Sequence, residues 1–506
     1  MIELILACLG VLLPWLLGLA ILGWPGGGGR RLGKSAVLPN NQPKPLGFSP
    51  FSPTYEGSLW VDKLVVLGSG YFVGFFGLSL VIRMTDGIDF FQSRWGLSGL
   101  VLLLSLILAV CGQKTRWWFW GAKIGRHPVQ AGSRLATLLT LGLLGLLLWR
   151  LVILGWQTLH WPLFPWDAWA SWGFKAKAWF LSGHLTDFLE AEDWLGGGSQ
   201  TAYTVQGVDY PPTVSLIQFW MAKLIGVWRE SFINLPWPAA FLALGTAYYG
   251  LLRRAVGTIL LAMTGTYLLL SLPLLETHVA LAGYADLWLC GCFGLAALAL
   301  FDWLEQREIR YAWLALILAL VCTQIKQEGL VWALMLLPPL LLGFLPTGRG
   351  LAIIMAGFVA LLLIWVSGIV HLELPGGPLI LNSQEIALPG LGHSRLAYQP
   401  LWSTLLREFF LEQHWHLLWY GAVATLVLGT RPAFRHTALA AALLVLLQGL
   451  GFLFVLFFFS EHSAWARQVT AINRVALPLA PIIVYSMLLT WRAYLGSSSR
   501  PGSSAA

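Results

Sequence analysis

Apolar residues run along this chain in long blocks separated by short polar links. A helix that crosses a bilayer needs about 20 mostly apolar residues. Blocks that reach or approach this length fall at 2–24, 64–84, 95–113, 135–158, 235–252, 256–275, 280–301, 311–325, 329–346, 350–371, 416–430, 437–459 and 475–491. The pattern predicts an all-α, polytopic membrane helix bundle of about 13 spans. Two polar intervals stand out, 159–234 and 372–415. Residues 25–59, rich in Gly and Pro, read as a loop, and the Ser/Gly-rich tail from Gly496 reads as unstructured. The expected division is an N-terminal set of helices with a basic loop (1–134), a main module (135–492) and a tail (493–506).

The interval from Trp161 to Pro212 holds the densest mixture of tryptophans and ionisable residues. Pro162 and Pro165 stiffen its first turn, and Asp167 stands where a helix over Trp166 to Phe180 would begin, favoured there by exposed N–H groups. At about 100° per residue, Trp169, Trp172 and Trp179 share one side, and Asp167, Ser171 and Lys175 the other. The expectation is an interfacial helix, tryptophans toward lipid and charges toward water. Thr213 to Trp228 is apolar but short, with Lys223 inside it. Reading it as interfacial or re-entrant puts Arg253 and Arg254 on the same side as Lys114, Arg116, Lys123, Arg126 and Arg134, as the positive-inside rule favours. The two polar intervals, the Glu276–His278 turn, the Gln324–Glu328 link and 460–474 then share the outer face. The inner loops are short, basic and otherwise plain.

Composition agrees with this pattern. Of 506 residues, 57% are hydrophobic and 11% charged, against roughly 25% charged in soluble domains, and the mean hydropathy is +0.72. The 28 tryptophans suit interfacial belts. The net charge of +8 comes from short clusters beside apolar blocks, which orient a membrane protein and do not suggest nucleic acid. The first block has Glu3 where a signal peptide has basic residues, and Arg30, Arg31 and Lys34 follow it, so it reads as a retained helix. The five cysteines show no disulfide or zinc spacing.

Polar residues at the outer face are the candidates for chemistry. Asp167 and Asp209 bracket the first interval; a carboxylate there can serve as general base, the alternatives being an N-cap for Asp167 and a turn cap for Asp209. Asp209 precedes Tyr210-Pro211-Pro212, a rigid turn. His278 and Asp286 flank the outer end of an apolar block, where an acid needs a cavity or a partner. Lys326 and Glu328 lie in a short link, and Arg474 opens the last block; a lysine and an arginine at the interface suit phosphate oxygens. Lys175 and Tyr210 would line the same site. The 372–415 interval, with Glu385, His393, Glu408, Glu412 and His414, would shape acceptor recognition. The pair His414 and His416 does not favour a metal, since alternate residues on a helix face apart. No P-loop, GxSxG or HExxH pattern is present at a sensible place.

An outer loop with an early acid in Trp166-Asp167-Ala168-Trp169, then Tyr210-Pro211-Pro212 launching a short helix, Arg229-Glu230, and a span ending in Arg253-Arg254 resembles the GT-C class of integral-membrane glycosyltransferases. Gly283-Tyr284-Ala285-Asp286, Lys326-Gln327-Glu328-Gly329 and Asn473-Arg474 are similar to recurring features of bacterial relatives of the dolichyl-phosphate-mannose protein mannosyltransferases and the lipid A aminoarabinose transferase. The resemblance covers about 135–492. It implies a polyprenyl-phosphate sugar donor, Asp167 as base with Asp209 assisting, and Lys326 and Arg474 on the donor phosphate. Many members carry two acids close together in the first loop, and this chain has one there, so a bound metal is not implied. No cofactor is expected. The acceptor would be a glycan, lipid or protein, and the setting a bacterial plasma membrane with the site on the extracytoplasmic side. A transporter or lipid flippase is the alternative from another class, and an oligosaccharide ligase or polymerase with a pyrophosphate-linked donor is the alternative enzyme.

Overall fold

In lipid a chain satisfies its own N–H and C=O groups, and the apolar blocks accordingly become helices. A computed structural model describes residues 2–23, 59–115, 133–197, 201–368, 370–374, 377–388 and 392–498. Most of the expected 25–59 loop, Arg116, Lys123 and Arg126, and the end of the tail lie outside the described residues. The first half contains α1 (Ile2–Leu22), α2 (Leu59–Thr85), α3 (Arg94–Thr115), α4 (Arg134–His160), α5 (Gly173–Ser182), α6 (Thr213–Ile225) and α7 (Pro236–Val256). The middle contains α8 (Ile259–Leu270), α9 (Pro273–Ala280), α10 (Asp286–Gln306), α11 (Ile309–Cys322) and α12 (Glu328–Leu334). The last part contains α13 (Thr347–Ser367), α14 (Leu418–Leu428), α15 (Thr437–Phe459), α16 (Ile472–Ala476) and α17 (Ala480–Ser498).

By length and composition, eight helices among the described residues can cross a membrane, or nine if α8 and α9 together make one span. The protein is a mainly helical bundle suited to multi-pass membrane insertion. At its centre α10 is buried throughout, while α4 and α13 lie at the periphery with little covered surface. The helices before residue 134 are part of this bundle. A Cβ added to Gly18 of α1 would stand 1.7 Å from the Gly70 carbonyl oxygen of α2, so only glycine lets these backbones meet. Trp220 of α6 donates to the Gly10 carbonyl at 2.8 Å.

Three sequence expectations are corrected. The block at 256–275 is not one straight helix, because Pro273 removes a backbone donor and α9 turns 61° away from α8. The 372–415 interval, expected only as a polar outer loop, carries strands: β3 (Val370–Leu374), β4 (Gly377–Leu381), β5 (Glu385–Leu388) and β6 (Gly392–Arg395) form an antiparallel meander, with Leu372 opposite Leu379. Two short strands elsewhere, β1 (Phe188–Leu189) and β2 (Tyr203–Thr204), pair in parallel. Third, α6, expected to be interfacial or re-entrant, does not lie open as a bare surface helix would. All of its residues except Lys223 are buried.

Candidate functional site

Helix starts and loop links bring the outer-face candidates together. Asp286 is the first residue of α10 and is 2% exposed. It is delivered by the turn Leu281–Ala285, in which Gly283 has φ +105° and a Cβ would meet Leu163 and Ala168 at 2.6 and 2.8 Å. Glycine is required there on both counts. Lys326, in the link between α11 and α12, donates to Asp286 Oδ1 at 3.0 Å and sits 2.6 Å from Glu328 Oε1. Arg474, in α16, donates from Nε and Nη2 to Asp286 Oδ2 at 3.2 and 3.0 Å, and from Nη1 to Asp167 Oδ2 at 2.5 Å. Its guanidinium lies 4.2 Å from the centre of the Tyr284 ring. His278 Nδ1 is bonded to the Leu274 carbonyl, while Nε2 points toward Asp286 at 3.9 Å. That nitrogen is buried and has no hydrogen-bond partner among the described residues.

Asp167 is therefore not an N-cap. Its backbone is already helical, its side chain makes no cap bond, and its carboxylate goes to Arg474. A π turn over Ala168–Trp172 precedes α5, and a uniform 100° wheel does not carry across a π turn. The buried face is Ala168, Ser171, Trp172, Lys175, Ala176 and Trp179. The expected split of tryptophans toward lipid and charges toward water fails, because this helix packs on protein. Trp172 and Trp179 join the core; Trp166 and Trp169 are the exposed ones.

Lys175 is 3% exposed and donates to the carbonyls of Gly207, Val208 and Tyr210 at 3.0, 2.8 and 3.3 Å. Burial pushes its ammonium down to about 8, opposed by Asp209 and Glu190. It ties α5 to the 207–210 turn, and Tyr210 stacks on Trp172 with ring centres 5.3 Å apart. Burial raises the Tyr210 hydroxyl above its ordinary value. Asp209 is exposed in this turn, and no hydrogen bond or ion pair among the described residues joins it to the Asp286 cluster. Of the nine candidates, then, Asp167, His278, Asp286, Lys326, Glu328 and Arg474 form one cluster, Lys175 and Tyr210 build the adjoining turn, and Asp209 stands outside.

Several residues outside the nine candidates hold the site in place. Glu408, buried, accepts from Asn473 Nδ2 at 2.9 Å, and Trp415 Nε1 donates to Asn473 Oδ1 at 2.8 Å. The second polar interval thereby braces the residue next to Arg474. Glu230 accepts from the Leu163 N–H at 2.8 Å, and Trp237 Nε1 donates to the Tyr284 carbonyl at 2.8 Å. Nothing in sequence separates Glu408 from the exposed Glu412 nearby. His414 approaches Glu408, whereas His416 meets the Ser271 carbonyl. Among the described residues no three His, Cys, Asp or Glu side chains are grouped as a metal site.

A second ionic cluster lies at the other end of the bundle. Asp302 is 16 residues beyond Asp286 on α10, about 24 Å along the axis. Arg254 of α7 donates to both oxygens of Asp302 at 2.9 and 3.0 Å, to Asp62 of α2 at 2.8 Å and to Glu308 at 3.0 Å. Arg310 pairs with Asp62 at 2.8 Å and with Glu308, and the Tyr311 hydroxyl donates to Asp62 at 2.7 Å. This end of the bundle is thus not plain, since Arg254 on α7 and Arg310 on α11 are held in buried ion pairs.

No family model matches the chain, and no curated protein or solved structure is detectably similar to it. The GT-C likeness rests on the motifs alone, and function is argued from the site.

Proposed function

We propose that the protein is a membrane glycosyltransferase that moves a sugar from a polyprenyl-phosphate donor to an acceptor at the extracytoplasmic face, with inversion. One observation carries the reading. Asp167, Asp286, Lys326 with Glu328, and Arg474 come from four distant stretches and meet at one end of an apolar bundle. Ionisable groups so placed mark a functional site by default.

In this reading the donor's chain lies among the helices and its phosphate meets Lys326 and Arg474. Asp286 holds both cations in place. In the resting protein Asp167 is occupied by Arg474. The arriving phosphate competes for that guanidinium and releases Asp167, which takes the acceptor proton as the nucleophile attacks the anomeric carbon from the far side. The glycosyl–oxygen bond breaks toward the phosphate, which leaves ionised and is stabilised by the same cations without a general acid. In this reading Asp209, exposed beside Tyr210 and outside the cluster, has no step of its own. The membrane arrangement that goes with this reading has about 13 crossings, with α7, α11, α14 and the α12 region added to the long helices, in a bacterial plasma membrane.

The test is transfer from a labelled polyprenyl-phosphate sugar in membranes. Asp167→Asn is expected to lower transfer by about 10²- to 10⁴-fold with donor binding retained. Undiminished transfer by a folded variant removes the base assignment. One observation favours the carrier alternative: the bent α8/α9 pair beside an Arg150–Glu276 ion pair within the apolar region. Donor crossing sealed vesicles without product would select it.

A further inference from the structure

A cavity of about 660 Å³ opens on the flank of the bundle, between α4 and the bent α8/α9 pair. That is within the range of ligand sites, about 300–1,000 Å³. Leu146, Ile153 and Leu154 give it an apolar wall. Its charged wall is the ion pair of Arg150 with Glu276, whose side chains remain 32% and 22% exposed. The Tyr267 ring lies 5.9 Å from the guanidinium, and Gln157 and Thr277 add polar atoms nearer the end of α4. Arg150 is ten residues before His160, the last residue of α4, about 15 Å along the helix. An open ion pair at that depth is costly and implies an occupant that uses it. The site is separate from the Asp286 cluster: Glu276 and Thr277 of α9 face the cavity, while His278 turns to Asp286.

We infer that this groove binds a phospholipid whose head carries both a phosphate and a primary ammonium, the chemistry of phosphatidylethanolamine. The guanidinium offers paired donors to phosphate oxygens, and the carboxylate accepts from the ammonium N–H groups. An acyl chain covers the apolar wall. A quaternary head has no N–H for Glu276, and a purely anionic head brings no cation to it. Each wall of the groove thus finds its complement in one molecule.

The full-length protein is equilibrated with equal amounts of phosphatidylethanolamine, phosphatidylcholine and phosphatidylglycerol of matched chains, delipidated, and weighed by native mass spectrometry. The expected result is one phosphatidylethanolamine retained per chain, preferred about tenfold, the worth of one charge-assisted hydrogen bond. Glu276→Gln keeps the guanidinium and should switch the preference to phosphatidylglycerol; Arg150→Gln should weaken retention of all three lipids, which share the phosphate that the guanidinium binds. Equal retention of the three lipids by the wild type, or a preference for phosphatidylglycerol, overturns the inference even if neither variant folds. A preference for phosphatidylethanolamine that survives Glu276→Gln also overturns it.

Discussion

The two ends of α10 carry ionic clusters of the same make-up, three carboxylates and two cations, and they are built differently. At the Asp302 end, Asp62, Arg254 and Asp302 stand on the long helices α2, α7 and α10, and Glu308 and Arg310 at the start of α11. Arg254 alone reaches three acids, and its guanidinium also lies over the Tyr311 ring at 4.3 Å. At the Asp286 end, Asp167 belongs to a loop helix with a π turn, Lys326 to a link, and Arg474 to the short helix α16 that a 3-10 turn separates from α17. Among the described residues His278 Nε2 has no hydrogen-bond partner there, and Asp167 remains a third exposed. Charges anchored on regular helices clamp the bundle. Charges hung on breaks and links can exchange one partner for a ligand.

The largest expected effect is at the clamp. Arg254→Leu leaves Asp302 buried without its Arg254 partner and Asp62 with Arg310 alone, and should destabilise the protein by about 3–5 kcal/mol, read as a lower melting temperature in detergent and loss of monodisperse protein. A wild-type melting curve from this variant would mean that the Asp302 end is not a clamp. The next effect sharpens the contrast with one chemical change made twice. Asp302→Asn and Asp286→Asn keep shape and remove one charge. At Asp302 the expected outcome is a stability loss of about 1–3 kcal/mol with transfer per folded molecule unchanged. At Asp286, Arg474 keeps Asp167 and Lys326 keeps Glu328, so stability changes less. Sugar transfer should fall by about 10²-fold or more, because the two cations lose their common anchor. If the two substitutions act alike on both readouts, the division into clamp and site is wrong.

This contrast also explains what the sequence made legible. Long apolar blocks translate directly into helices, as at 437–459, because nothing but an internally bonded helix suits lipid. The cluster was legible as far as cost could be read: an acid at Asp286 and an arginine at Arg474 are expensive in apolar surroundings, so each advertised a partner. The identity of the partners was not. That Asp167 meets Arg474 across 307 positions depends on how loops fold back, which no local period encodes. The Arg254 clamp was hidden because its arginines also satisfy the positive-inside pattern, and Asp62 and Asp302 fall just outside the ends of the apolar blocks at 64–84 and 280–301. The β3–β6 meander did leave a signal, the alternation His371-Leu372-Glu373-Leu374 followed by Pro375-Gly376-Gly377, which a reading tuned to apolar blocks passes over.

The smallest effect concerns Lys175, where the helix packs on protein against the expected amphipathic split. Its ammonium holds three carbonyls of the 207–210 turn, yet burial lowers its pKa to about 8 from 10.5. Between those values the unfolded chain keeps a proton that the folded chain has released. By linkage this group makes overall stability rise with pH across that window. Opening of the 207–210 turn returns the lysine to water and to its ordinary value, so the same linkage acts on the turn. Hydrogen exchange of the 201–212 region, corrected for intrinsic rates, should therefore slow several-fold between about pH 7 and about pH 9, and the melting temperature should not drop on this account. Lys175→Met should show exchange without the step. Wild-type exchange that stays flat through this range would show that the turn is held by its Pro211-Pro212 backbone and not by the lysine. The Asp286 end would then be as rigid on this side as the clamp it is contrasted with.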